Sequence, residues 1–458
     1  MTFVGAVFGV LGGALLAAVV GYVIVRLFAT GLGRPELFAW SFATGLLVQA
    51  ALFVVAVSIL PGRALVPVIA LDAAIVVGSF VARRPRSLQP EPSPRVPEEG
   101  WGEGRRLVRV LLAIAGAAWL LFLVSALSEP MWSTDYLAVW GLKAKIIATT
   151  GHVPTRLFSD PALYWGHPEY PLLVSLSLAV LSLFSGWHDQ ALALFFPLCE
   201  LATLAALYGF LARRVSVLSG AAAAALTAVC FPLYQSVNSG TAEIPFAFSL
   251  VLVSTAFLDA PSGRSRAVLA RLAVASLVCV SIKQEGTLFV LLVGAALLVR
   301  RRREGWAPLA AATMHALLLH LGRGPQTPRA FDFTFFEPFR WGELVSRLTK
   351  VLGHVLTADV IHSWLPLLAV VLLFAFTRHG LADPLLPLVL LQVLAYVVSF
   401  SMSAFDPIWA AGVLPRLTMS LFPNFTLVLC ARLEQRRQES LRDERGRVES
   451  AVVVERIH

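Results

Sequence analysis

The residues with the greatest capacity for chemistry gather in Pro130-Met-Trp-Ser-Thr-Asp-Tyr-Leu-Ala-Val-Trp-Gly-Leu-Lys-Ala-Lys145, with His167-Pro-Glu-Tyr-Pro171 a short way downstream. An acid, two lysines, a histidine and a set of aromatics interrupt a chain that is otherwise strongly apolar. Asp135 is a carboxylate of the kind that takes a proton from an attacking hydroxyl. Lys143 and Lys145 are cations suited to an anionic group that gains charge during a reaction. Tyr136, Trp140, Tyr164, Trp165 and Tyr170 offer flat faces for stacking, and they are also the residue types of a membrane interface. His167 and Glu169 stand two apart in an extended, Pro-flanked segment and point the same way. With Asp135 they are the candidates for a divalent metal ion. Simpler roles stand beside these. Asp135 is placed to cap a helix running from Tyr136 to Ala148, and Lys143 or Lys145 to anchor a helix at the interface.

More polar groups recur at helix ends. They are Asn238-Ser-Gly-Thr-Ala-Glu243, Lys283-Gln-Glu-Gly286, residues 401–406 and Arg416. Lys283 and Glu285 can simply pair, and Glu243 suits the first turn of a helix, where the dipole favours an acid. Asp72 and Glu200 lie deep inside apolar runs. Structural hydrogen bonding is the default expectation for both, and helix packing for His315 and His320. The four cysteines, Cys199, Cys230, Cys279 and Cys430, also sit in apolar runs and read as small packing residues.

The elements that must position these groups follow from composition. The chain has 458 residues, 57% hydrophobic and 14% charged, with a mean hydropathy of +0.76. A soluble chain carries about 25% charged residues, so this is a multi-pass membrane protein. Apolar runs of about 17–25 residues recur, long enough to span the hydrocarbon as helices. They lack the alternation of a membrane barrel, so the fold expected is all-α. About thirteen runs qualify on length and hydropathy, at 3–27, 37–60, 65–81, 107–127, 190–211, 217–235, 244–258, 267–282, 287–299, 306–321, 355–376, 384–400 and 414–431. The N-terminus has no basic region before its first run, which reads as a retained helix.

Lys and Arg orient the chain. Arg83, Arg84, Arg86, Arg105, Arg106, Arg213, Arg214, Arg300–Arg303, Arg378 and the basic tail share one side when the N-terminus lies outside and the C-terminus in the cytoplasm. Dispersal of the +9 net charge over short loops argues against a nucleic-acid partner. Under this topology 1–82 is an N-terminal three-helix segment and 83–106 a disordered cytoplasmic linker. Residues 107–431 form the core, and 432–458 a charged cytoplasmic tail. Residues 128–189 make a large first outer loop containing juxtamembrane helices, of which 171–184 is expected to lie on or dip into the outer face. Residues 322–354 make a second outer loop. The polar clusters at 130–145, 167–171, 238–243, 283–286, 401–406 and Arg416 then all fall on the outer side, and the simplest geometry is one outward-facing cavity.

The order of these pieces resembles the type C glycosyltransferase superfamily, and more closely its bacterial branch related to protein mannosyltransferases and the lipid A aminoarabinose transferase. The matching pieces are Asp135, Trp140-Gly-Leu-Lys-Ala-Lys145, His167-Pro-Glu-Tyr-Pro-Leu-Leu173, Ala212-Arg-Arg214, Gly240-Thr-Ala-Glu-Ile-Pro245, Lys283-Gln-Glu-Gly286 and Arg416-Leu-Thr-Met-Ser-Leu-Phe-Pro423. They span roughly 107–431, and their order and shared sidedness carry the resemblance more than any single motif. It departs from the family where three helices precede the span before Asp135, and where Glu243 stands at a position at which many relatives have Asp.

The resemblance implies an inverting glycosyltransferase of the cytoplasmic membrane, with its active site on the outer face. A sugar would pass from a polyprenyl-phosphate donor to a cell-envelope glycan or lipid acceptor. Asp135 would be the general base or the group that orients the acceptor. Lys143, Lys145, His167, Glu169, Tyr170, Glu243, Lys283, Glu285 and Arg416 would bind substrate, with Lys283 and Arg416 nearest the lipid phosphate. Two other readings compete. One is a ligase moving a whole glycan from a polyprenyl-pyrophosphate carrier, for which Arg323, Arg329, Arg340, Arg347 and Lys350 supply a basic loop. The other is a transporter or flippase of a lipid-linked substrate that couples through Asp72 and Glu200. The lack of an internal repeat weighs against it.

Overall fold

The computed structural model describes residues 2–28, 31–60, 63–81, 101–153, 167, 170–234, 240–260, 266–322, 338–355, 384–402 and 419–457. Among them there are helices and their connections and no strand. In chain order the helices are α1 (Phe3–Val25), α2 (Arg34–Ile59), α3 (Leu65–Val81), α4 (Trp101–Ser128), α5 (Gly141–Thr150), α6 (Leu173–Ser185), α7 (Asp189–Leu192), α8 (Phe195–Arg214), α9 (Val217–Tyr234), α10 (Glu243–Asp259), α11 (Arg266–Ile282), α12 (Glu285–Val299), α13 (Trp306–Gly322), α14 (Pro338–Val355), α15 (Leu386–Met402) and α16 (Phe422–Ile457). A π-helical turn, Tyr136–Trp140, leads into α5.

Local chemistry sets the helix ends. The Thr2 hydroxyl accepts from the Gly5 amide ahead of α1, and Pro35 sits in the first turn of α2, where a missing N–H costs nothing. α8 ends on Arg213 and Arg214, cations at the negative end of the dipole. Among the described residues four segments are long and apolar enough to cross a membrane: Phe3–Val25, Arg34–Ile59, Gly104–Ser128 and Asp189–Arg214. Shorter apolar helices include Leu65–Gly78, Val217–Val229, Glu285–Val299 and Leu386–Ser399. The expected run at 355–376 lies outside the described residues after 355, as does the start of the run at 414–431.

α1 and α2 cross closely. A side chain on Gly21 would collide with the Ser41 carbonyl, and one on Gly45 with the Ala17 carbonyl. Small residues let apolar helices approach to backbone contact. The N-terminal helices do not stand apart from the rest: the Phe42 ring meets Phe248 of α10 at 6.2 Å. α3 is tied back to α2 by Gln49 Nε2, which donates to Asp72 Oδ2 at 3.2 Å, both side chains buried. Asp72 thus has the structural hydrogen bond expected of it.

Two expectations need correction. The segment expected on the outer face, α6, is instead buried almost throughout. It packs on α1, where a Cβ on Gly9 would meet the Phe184 carbonyl at 2.5 Å. Its thirteen residues make about 20 Å of helix, too short to cross, so its apolar surface is satisfied by protein. The linker expected to run to 106 gives way to α4 at Trp101, because the helix continues through Arg105 and Arg106. Within the expected second loop the chain forms an amphipathic helix, α14, whose Arg347 Nε donates to the Ser401 carbonyl of α15 at 2.7 Å.

At one end of the bundle a buried ionic network joins α2, α8, α10 and α11. The Arg213 guanidinium forks onto Glu36, with Nε to Oε2 and Nη2 to Oε1 both at 2.8 Å. It also reaches Asp259 Oδ2 at 2.8 Å. Arg214 Nε and Arg271 Nη1 complete the shell around Asp259, each at 2.8 Å. Asp259 closes α10 and Glu243 opens it, so the two lie at opposite ends of a helix about 25 Å long.

Candidate functional site

The far end of the bundle holds the groups singled out by sequence. Asp135 immediately precedes the π-turn, partly exposed and in helical backbone conformation. Its side chain makes no capping bond. The cap is Ser133, whose Oγ accepts from the Tyr136 amide at 3.0 Å, so Asp135 is not spent on holding the helix start. A π-turn widens the helix and is often found at functional sites.

Tyr136 is the buried pin of this region. Its hydroxyl donates to Asp189 Oδ1 at 2.5 Å, and Trp187 Nε1 donates to the same oxygen at 3.2 Å. Burial, with the neighbouring Asp189 carboxylate, pushes the phenol well above its usual range. The ring lies against Gly141 and Gly240; a Cβ on Gly240 would come within 2.9 Å of Tyr136 Cβ and 2.8 Å of Met131 Sδ. Gly240 also has φ +63°, where a side chain is strained. This close approach fastens the first loop to the segment that begins α10.

Glu243, three residues on, is the first residue of α10 and fully buried. Lys283, just past the end of α11, donates Nζ to Glu243 Oε1 at 3.1 Å and lies 3.6 Å from Glu285 Oε1. The sequence suggested a Lys283–Glu285 pair; the nearer partner is Glu243, brought over by the α10–α11 packing. The triad holds two carboxylates and one ammonium, so most of the positive charge of Lys283 is spent inside the protein. Gln392 of α15 donates to the Glu285 carbonyl at 3.1 Å and ties that helix to the same place.

Lys143 is also buried, at 1% exposure. Its ammonium donates to the His167 carbonyl, with the Trp140 and Tyr170 ring centroids at 5.9 and 6.0 Å. The Tyr170 ring is stacked between Trp140 at 5.4 Å and His167 at 4.8 Å. His167 has φ +47°, a conformation a non-glycine residue adopts only where its surroundings hold it. Ser175 Oγ donates to the Trp140 carbonyl at 2.9 Å and ties α6 to this stack. Lys143 therefore clamps the His167 segment onto α5. Lys145 is exposed, its ammonium 5.9 Å from the Trp187 ring centroid. Glu169 and Arg416 lie outside the described residues. Among the described residues no three of His, Cys, Asp and Glu come together to hold a metal ion.

Glu200 departs from its default. It is 1% exposed within α8, and neither carboxyl oxygen has a hydrogen-bond partner among the described residues. Sequence reasoning passed over Asp189, Glu36 and Asp259. The two acids of the opposite end left a signal: each falls at a helix end on the side rich in arginine, where its natural partner is an Arg.

Compared with known proteins, the chain matches no family model, no curated protein and no solved structure.

Proposed function

We propose that the chain is an inverting glycosyltransferase that moves a sugar from a polyprenyl-phosphate donor to a cell-envelope glycan or lipid acceptor. In this reading it spans the cytoplasmic membrane about thirteen times, with the Asp135 end outside. The observation that supports it most is the junction of Tyr136 with Gly240. Through it the Asp135 loop and the Glu243–Lys283–Glu285 triad share one end of the bundle. A carboxylate that does not cap its own helix sits beside a rigid buried pin, as a general base for an acceptor hydroxyl requires.

The leaving phosphate needs cations where its charge develops. Lys283 is committed to Glu243, so Lys145 and Arg416 take that role first, and Lys283 serves to fix Glu243 at the start of α10. Tyr170 and His167 line the acceptor side, with Lys143 holding them in place. A panel of polyprenyl-phosphate sugars, given to the purified chain in lipid with an envelope extract, tests the reading. Sugar incorporation from one donor of the panel is the expected result. Incorporation only from a polyprenyl-pyrophosphate glycan would point to a ligase instead. Transport of a lipid-linked substrate is a second reading, favoured by the Glu200 carboxyl, which has no hydrogen-bond partner among the described residues.

A further inference from the structure

We propose that Glu200 is a proton-binding site inside the helix bundle, separate from the Asp135 end. Its surroundings decide its charge. α8 packs against α2, α4, α9, α10 and α16. α9 carries no charged residue. Those of α10 are Glu243 and Asp259, one at each end, and those of α2 are Arg34 and Glu36 at its start. α4 has none beyond Arg109, and α16 none before Arg432. Glu36 and Asp259 are already satisfied by Arg213, Arg214 and Arg271 at the opposite end. Cys199 and Cys430 are buried free cysteines and bring no cation. Among the described residues, no cation on these packed helices is therefore placed to compensate a charge at Glu200.

An isolated carboxylate away from water costs far more than a neutral acid. Glu200 is consequently held as the acid, with its proton as the bound ligand. Helix register places a pair of hydroxyls at the same level. α8 and α9 run antiparallel: a Cβ on Gly220 would touch the Tyr208 carbonyl at 2.6 Å, and Leu204 packs with Ala224, Ala225 and Ala228. Continuing about one turn along each helix brings Glu200 level with Thr227. Thr227 Oγ1 lies 2.9 Å from Thr426 Oγ1 of α16, so a hydroxyl pair stands at the depth of the acid. Asp72 is the contrast: the other deep acid is bonded by Gln49. Ionisable groups at membrane depth are costly and mark ion or proton sites more often than scaffolding.

The test is infrared spectroscopy of the full chain in nanodiscs, comparing wild type with Glu200→Gln. The carbonyl stretch of a protonated carboxylic acid is expected in wild type and absent from the variant, with any Asp72 band left unchanged. Above its midpoint the protonated fraction should fall about tenfold per pH unit, and the band should shift in D2O as the proton exchanges. Glu200→Asp, the second variant, should keep a displaced band. A band that neither titrates nor exchanges would make Glu200 an inert acid and overturn the proposal. The proposal fails equally if wild type and Glu200→Gln give identical spectra, or if sodium but not potassium displaces the midpoint, which would mark a cation site. None of these readouts depends on sugar transfer.

Discussion

At the residue scale, Ser133 and Tyr136 do the structural work around Asp135. Ser133 caps the turn and Tyr136 pins it, so neither task falls to the Asp135 carboxylate. The phenol of Tyr136 is pushed up on folding, so the folded state holds its proton more tightly than the unfolded chain does. That stabilisation is complete below the unfolded value of about 10 and is lost as pH rises beyond it. Thermal unfolding followed into the alkaline range should show this loss in wild type and a weaker one in Tyr136→Phe. At neutral pH the same variant should cost about 1–3 kcal/mol, because Asp189 loses a donor. Gly240→Ala should loosen the same junction from the other side. A strained φ alone costs about 1 kcal/mol, and the contacts with Met131 and Tyr136 add to it. A fall in melting temperature together with impaired transfer is the expected outcome; an unchanged protein would mean that the two segments are not held together by this contact.

At the element scale, helix positions were legible in the sequence because apolar runs and their charged ends repeat the period and length of a spanning helix. Which faces meet was not legible. Pro171 to Phe184 reads as a surface helix because nothing in it reveals that α1 offers Gly9 and Gly13 as a seat. Lys143 reads as an anion ligand, since a local pattern cannot show a buried ammonium facing the carbonyl of His167, twenty-four residues away. The same limit hid Glu36, whose partner Arg213 is 177 residues distant. This last pairing is the clearest test of how α2 joins the core. Arg213→Ala leaves Glu36 and Asp259 short of a buried partner and should cost about 3–5 kcal/mol, less whatever water restores at the partly exposed guanidinium. A melting temperature within error of wild type would show that α2 is held by apolar packing alone.

At the scale of the whole molecule, two kinds of polar chemistry sit at opposite ends of one apolar bundle. One end binds arginines to acids in a closed network. The other carries Asp135, the Tyr170 stack and the Glu243–Lys283–Glu285 triad. The proposed sidedness makes a direct prediction. With Cys199, Cys279 and Cys430 buried and Cys230 replaced by Ser as the background, Lys145→Cys should react with a membrane-impermeant maleimide added to whole cells, and Arg302→Cys only after permeabilisation. The reverse pattern would invert the topology and remove the outer-face reaction. The central claim, that Asp135 drives sugar transfer, is tested most directly by comparing wild type with Asp135→Asn on an accepted polyprenyl-phosphate donor. The expected result is a fall of about 10²–10⁴-fold in transfer, the range for loss of a general base, with the melting temperature unchanged. Equal transfer by the two proteins would contradict it.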